Sequence, residues 1–398
     1  MGVYFAHYEC LGHTSRVMAV AEVFNKRFPL GDLFFIQAGI PQPKAKIDTF
    51  GRVYALPGAF MDRRHFRERA QTAGLDTESR NQACLEIITR ERPDLFITEF
   101  FPLGLEDCRH ELIPSLAKAS AQGTTLWGVA GYPLLTGTNH EWREKIFKLY
   151  KKIIIFSPLL EKDFIAGSFA AEGQRRDYLD VFQRHGPKII FAGYFLPRQE
   201  VVRDDMDENL PKPPVPRGAC RVAVLRGGGA YYPKLIAEAI RASDFLGKEY
   251  YWTVVAGPAT TTQEWYFFST LVGAKKIKNL ILLKSVGNYE GLVENSDVCV
   301  SVASYHTSVM LLKHRKKAVL VPFEGPESKS FQEQPARAAL LREMIGAEIL
   351  SFQDLSVSAL AAAVKSAASR KAITSDVPKE WFLGGDVLDK ELIGLFGR

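Results

Sequence analysis

A chain of 398 residues with 46% apolar and 24% charged residues has the make-up of a folded globular protein and the length for two domains, each with its own core, which excludes a disordered polypeptide. Lys and Arg (51) exceed Asp and Glu (45) by 51 − 45 = +6, an excess that suits an anionic ligand or a membrane surface and does not by itself call for nucleic acid. The five Cys, at positions 10, 84, 108, 220 and 299, form no C-x-x-C pair and read as buried thiols of a reducing compartment. No basic leader or membrane-length apolar run is visible, so the expected location is cytoplasmic, with peripheral contact at the inner face of a membrane left open.

In chain order, residues 3–6 predict a strand, 7–15 a loop, and 16–28 a helix with Val17, Val20, Ala21 and Phe24 at helical spacing. Apolar runs at 33–38, 53–56, 95–98, 125–129, 153–156 and 189–192 predict further strands, with a long helix over 76–92 ahead of Pro93-Asp94. Residues 198–218 turn to charge and proline, which oppose sheet pairing and burial and mark a linker. The alternation then resumes, with strands over 222–225, 252–256, 280–283, 298–301, 318–321 and 348–350, and ends in an amphipathic pattern over 387–396. This is an α/β chain, expected to form two Rossmann-like domains facing a central cleft.

The candidate functional residues stand where strands give way to helices, the carboxyl end at which open α/β sheets bind ligands. His13 lies in the loop after the first strand, beside Gly12, and would meet the positive end of the first helix, which favours a neutral imidazole fit to act as a base. It could equally cap or pack. Glu99 ends the 95–98 strand and could act as base, bind a sugar hydroxyl or cap the next helix. Arg226-Gly227-Gly228-Gly229 follows the first strand of the second half, where glycines let backbone N–H groups approach an oxyanion and Arg226 could add charge. It is neither a Walker loop nor a full G-x-G-x-x-G. Ser285-Val286-Gly287-Asn288-Tyr289 could hold a planar base, or be a turn followed by a core aromatic.

The most informative stretch is 297–341. An apolar run, 298–302, ends in a small polar turn, and a helix is expected over 309–314; a second run, 318–321, leads through a polar loop to a helix beginning near Gln334. Strand, helix and strand of these lengths form a right-handed βαβ unit whose helix mouths favour an anion. His306, Thr307 and Ser308 stand at one mouth, and Glu333, Gln334 and Arg337 at the next.

Other features read as bland. Asp205-Met206-Asp207 spells a metal-binding D-x-D but lies in the proline-rich linker; Cys10 and His13 lack a second ligand pair, so no metal site is expected. The basic run 313–317 reads as a solvated helix end. The aromatic and basic stretch 60–69 reads as an amphipathic helix, or as a segment resting on anionic lipid.

On Leu11-Gly12-His13-Thr14-Ser15-Arg16, Arg92-Pro93-Asp94-Leu95 with Glu99-Phe100-Phe101-Pro102, the loop 226–229, and Tyr305-His306-Thr307 through Pro322 to Glu333-Gln334-Pro335-Ala336-Arg337-Ala338, the chain resembles the GT-B superfamily of glycosyltransferases. The likeness is to the branch of the peptidoglycan N-acetylglucosaminyltransferase and related bacterial predicted glycosyltransferases. It implies an inverting, metal-independent transferase that takes a nucleotide sugar, expected to be UDP-linked, as co-substrate, with no other cofactor and an acceptor left unspecified. Residues 1–200 would bind the acceptor, 201–218 link the domains, 219–375 bind the donor, and 376–398 pack near the interdomain region. Gly227 to Gly229, His306 and Thr307 would then meet the diphosphate, Glu333 and Gln334 the donor sugar, and His13 would deprotonate the acceptor. Where that family usually has a ribose-binding glutamate this chain has Met310, and glycines usual near Ser304 and Arg315 are missing. A nucleotide-sugar hydrolase or epimerase of the same fold, and a binding or scaffold protein that has lost its donor, are the alternatives.

Overall fold

The computed structural model describes residues 1–7, 11–39, 47–56, 77–105, 108–133, 141–169, 172–198, 215–228, 232–323, 333–371 and 376–397. The chain divides into two units, Met1–Gln199 with Lys379–Arg398, and Glu200–Pro378. Gly229, the Asp205 and Asp207 pair, Cys10 and the 60–69 stretch lie outside the described residues, as does most of the expected linker.

The first unit runs β1 (Gly2–His7), α1 (Leu11–Arg27), β2 (Phe34–Gly39), β3 (Arg52–Ala55), α2 (Thr77–Glu91), β4 (Leu95–Glu99), α3 (Arg109–Ala121), β5 (Thr125–Ala130), α4 (Glu141–Leu149), β6 (Lys152–Ile155), α5 (Leu159–Gly167), α6 (Glu172–His185) and β7 (Ile189–Phe191). The second runs β8 (Cys220–Leu225), α7 (Pro233–Leu246), β9 (Tyr250–Val255), α8 (Thr262–Lys275), β10 (Leu280–Leu283), α9 (Tyr289–Glu294), β11 (Val298–Ser301), α10 (Tyr305–Lys313), β12 (Lys317–Leu320), α11 (Glu333–Ile345), β13 (Glu348–Ile349) and α12 (Val357–Ser369). A last helix, α13 (Gly384–Phe396), closes the chain.

The strands form two parallel sheets, ordered β3-β2-β1-β4-β5-β6-β7 and β10-β9-β8-β11-β12-β13. Their apolar runs lack polar alternation because helices cover both faces of a parallel sheet. All five residues of β4 and all four of β11 are buried. In both sheets the chain builds outward from a central strand and then crosses to the other side of it, so β1 pairs with β4 and β8 with β11.

Burial of large side chains stabilises each unit. Trp252, with no exposure, packs with Ile236, Ile240 and Leu360 of α7 and α12 in one cluster, and each aliphatic side chain so buried contributes about 1.5–3 kcal/mol. In the first unit, Arg80 of α2 donates to both oxygens of Glu111 on α3 at 2.7 Å, and the Tyr4 hydroxyl of β1 donates to the same carboxylate. The described cysteines are free thiols, and burial pushes Cys84 and Cys299 up to about 12, away from reactivity.

The C-terminal segment, expected near the interdomain region, belongs to the first unit. Phe396 packs edge-on against Phe24 and Phe28 of α1, Asp389 accepts from Arg27 at 2.8 Å, and Glu391 pairs with Lys152. The amphipathic pattern over 387–396 thus serves to cover α1. No helix among the described residues is long and apolar enough to cross a membrane.

Candidate functional site

Each sheet reverses its strand order at one point, and at such a point a crevice opens beyond the carboxyl ends of the strands. In the first unit the reversal lies between β1 and β4, and the residues placed there are His13, in the first turn of α1, and Glu99, the last residue of β4. They meet: His13 Nδ1 lies 2.6 Å from Glu99 Oε2. Arg16, one helical turn further along α1, donates from Nε to Glu99 Oε1 at 2.8 Å. Glu99 is fully buried and Arg16 is 4% exposed, so the carboxylate's charge is balanced inside the protein. Burial pushes the Glu99 carboxyl up, but the charges and hydrogen bonds of His13 and Arg16 outweigh it and hold the group below the usual carboxylate range.

An ionised Glu99 accepts from Nδ1–H, which fixes the His13 tautomer and leaves the Nε2 lone pair to take a proton. The surrounding loop is braced. Phe100, in the left-handed region at φ 66°, donates from its N–H to Val129 O at 2.6 Å, and its ring lies 5.9 Å from that of His13 and 5.1 Å from Tyr132. Gly131, just after β5, gives the Arg16 guanidinium its room: a Cβ there would stand 2.0 Å from Arg16 Nη1 and push it aside.

In the second unit the reversal lies between β8 and β11. The loop after β8 carries Gly227, at φ +83°, a conformation that glycine adopts at least cost. A Cβ on Gly227 would lie 3.4 Å from Ser304 Oγ, so the glycine loop runs beside the start of α10. The helices α8, α9 and α12 carry side-chain caps at their N-termini, whereas Tyr232 at the N-cap of α7 makes none. Thr261 and Glu264 make a reciprocal capping box on α8, Asn288 accepts from Gly291 N on α9, Ser356 accepts from Ala359 N on α12, and α7 opens with Pro233. The N-cap of α10 is Ser304, a good capping residue, yet its side chain makes no cap bond. Its hydroxyl instead lies 3.0 Å from Thr307 Oγ1, which the Tyr289 hydroxyl meets from α9 at 2.6 Å. The positive end of α10 opens beside Gly227. His306 stands at this mouth, half-buried, its ring 5.6 Å from Tyr289.

Gln334, at the start of α11, accepts on Oε1 from the Tyr232 hydroxyl (3.0 Å) and from Phe323 N (3.1 Å). These two contacts fix the amide with its NH2 available as a donor. Gly287 is buried in the turn ahead of α9, and its carbonyl accepts from Tyr289 N at 3.0 Å, which sets the ring that supports Thr307 and His306.

Several expectations change. α10 begins at Tyr305 and not near 309, so His306, Thr307 and Ser308 form its first turn. Ser308 has no exposure and Thr307 has 1%; the Thr307 hydroxyl holds the helix start. Arg226 is not a charge offered by the glycine loop. Its guanidinium donates to Ala256 O (3.2 Å), Thr260 Oγ1 (3.3 Å) and Glu264 (3.2 Å), tying β8 to the start of α8. Arg337 is likewise internal, donating to Ala303 O at 3.0 Å and lying over the Tyr305 ring, which braces the turn where Ala303 sits at φ 55°. Glu333 is 7% exposed, and Met310, at 4%, is a packing position. Glu99 is the partner of His13 and is enclosed, away from any substrate hydroxyl. Residues that sequence reasoning did not assign are Arg16, Gly131 and Ser304; a Ser ahead of a helical pattern was the one available signal.

Among the described residues no three His, Cys, Asp or Glu side chains are grouped to hold a metal ion. No protein-family model and no curated protein matches the chain.

Two parallel sheets with reversed strand order, one per unit, are the architecture of the GT-B fold. Solved structures agree along the whole chain. The calicheamicin glycosyltransferase CalG4 superposes with a TM-score of 0.62 at 12% identity, over 100% of this chain and 98% of that one. MurG of Acinetobacter baumannii gives 0.53 at 12%, over 100% and 94%. A UGT transferase from Siraitia grosvenorii, solved with UDP, gives 0.54 at 11%, over 99% and 94%. At these identities the likeness is one of fold.

Proposed function

We propose that this chain is an inverting, metal-independent glycosyltransferase that uses a nucleotide sugar, UDP-linked, as donor. The observation that carries the reading is the His13–Glu99 contact of 2.6 Å, which presents Nε2 as a base in a domain whose fold belongs to sugar-transferring enzymes. His13 Nε2 takes the proton of an acceptor hydroxyl, and the oxygen attacks the anomeric carbon as the bond to the diphosphate breaks on the opposite face. Negative charge then grows on the leaving diphosphate, where the N-terminus of α10 and the Gly227–Gly228 backbone stabilise it without a cation. The Gln334 NH2 donates to a donor-sugar hydroxyl. Arg16, Arg226 and Arg337 act by positioning. UDP is favoured because the Siraitia grosvenorii relative was solved with it.

The test is calorimetric titration with UDP, GDP, ADP, CMP and dTDP without added metal, on wild type and His13→Ala. Saturable binding of UDP, unchanged in the variant while transfer is lost, is the expected result. Binding of none of them would overturn the reading.

A further inference from the structure

At the end of the first sheet opposite Glu99, where β6 and β7 begin, four lysines converge. Lys148 lies in the last turn of α4, Lys151 follows it, Lys152 opens β6, and Lys188 ends the turn ahead of β7. Together with Pro187 and Ile190 they line a concavity of about 480 Å³, the size of a small-ligand site. Lys152 pairs with Glu391 of α13 and lies 5.6 Å from the centre of the Trp127 ring. Lys188 Nζ donates to the carbonyls of Phe147 (3.0 Å) and Lys148 (3.1 Å), so two backbone dipoles hold it in place. Among the described residues Glu391 is the one carboxylate paired with any of the four.

Four ammonium groups against one carboxylate in a partly enclosed space is an electrostatically costly arrangement. Burial first, and repulsion from Lys151 second, hold both Lys152 and Lys188 below the ordinary lysine range. The attraction of an anion in the concavity offsets both effects, and lysine is a point-charge donor suited to phosphoryl oxygens from any direction. We propose that this concavity binds a phosphate-bearing group, at a site separate from those at the strand-order reversals. The group comes either from a free phosphorylated solute or from the headgroup of an anionic lipid.

The test compares wild type with Lys148→Glu/Lys151→Glu, two exposed positions, using inorganic pyrophosphate by calorimetry and co-sedimentation with phosphatidylcholine vesicles with and without phosphatidylglycerol. A pyrophosphate site elsewhere in the chain contributes equally to both proteins, so a difference between them belongs to the concavity. Affinity about tenfold weaker in the variant, the effect of reversing two part-exposed charges, is expected for at least one probe. Loss for pyrophosphate alone identifies a free solute, and loss of sedimentation with anionic vesicles identifies a lipid headgroup. Lys148→Gln/Lys151→Gln, which only removes charge, should move in the same direction by less, and thermal melts of both variants should match wild type. Equal behaviour of wild type and the Glu variant towards both probes overturns the proposal, as does binding of neither by wild type.

Discussion

Replacing Glu99 by glutamine separates the shape of this side chain from its charge. The carboxylate now accepts twice, from Arg16 Nε at 2.8 Å and from His13 Nδ1 at 2.6 Å. A glutamine has one accepting oxygen and one donating NH2. Arg16 can only donate, so the amide must turn its oxygen to Arg16 and its NH2 to His13. His13 Nδ1 must then accept, its proton moves to Nε2, and the base is lost. Two costs follow. Arg16, 4% exposed, loses its counter-charge, and breaking such a buried pair costs about 3–5 kcal/mol of stability. Proton abstraction loses a factor of about 10²–10⁴. The assay is nitrogen NMR of the His13 ring at a pH where it is neutral, which distinguishes the two tautomers, together with a denaturant titration. Wild type should carry the proton on Nδ1 and Glu99→Gln on Nε2. An unchanged tautomer, or a stability loss below about 1 kcal/mol, the level of an exposed pair, would refute the reasoning.

Further expectations rest on single contacts. Gly131→Ala places a methyl 2.0 Å from Arg16 Nη1; it should destabilise the protein by about 1–3 kcal/mol yet leave the His13 proton on Nδ1, because the Glu99 carboxylate still only accepts, both read by the same NMR and denaturant experiments. Thr307→Val removes the hydroxyl that Ser304 and Tyr289 meet, so UDP affinity by calorimetry should fall roughly tenfold through loss of about 1–1.5 kcal/mol of alignment at the α10 mouth. Acid stability should carry the mark of Glu99. Its carboxyl is held low when folded, so its contribution is complete above the unfolded value of about 4.3 and is lost as pH falls through the lower folded value. Denaturant midpoints measured down that limb should fall less steeply in Glu99→Gln than in wild type.

Much of the architecture is legible in the sequence because parallel strands buried on both faces are plain apolar runs, as in β4 and β11. Helix starts are harder. Gly12, Thr14 and Ser15, like Tyr305, His306 and Thr307, are weak helix formers by local propensity, yet packing draws them into the first turns of α1 and α10. The site residues divide along the same line. His13 and the Gly227 loop were visible because a strand leads directly into them. The meeting of Glu99 with Arg16 and His13 was not, since it depends on β4 crossing back to lie beside β1, a pairing that no local pattern encodes. Arg226 and Arg337 illustrate the converse. Beside a glycine loop or a helix mouth an arginine reads as a ligand charge, and only the carbonyls of Ala256 and Ala303, contributed by other segments, mark them as internal braces.

The most direct measurement is amide hydrogen exchange of the wild-type protein with and without UDP. Protection should appear at the first-turn amides of α10, Tyr305 to Thr307, and at Gly227 and Gly228, and be absent at the start of α12, where Ser356 already caps Ala359 N. Protection confined to other segments, or none at saturating UDP, would contradict the placement of the donor diphosphate at α10.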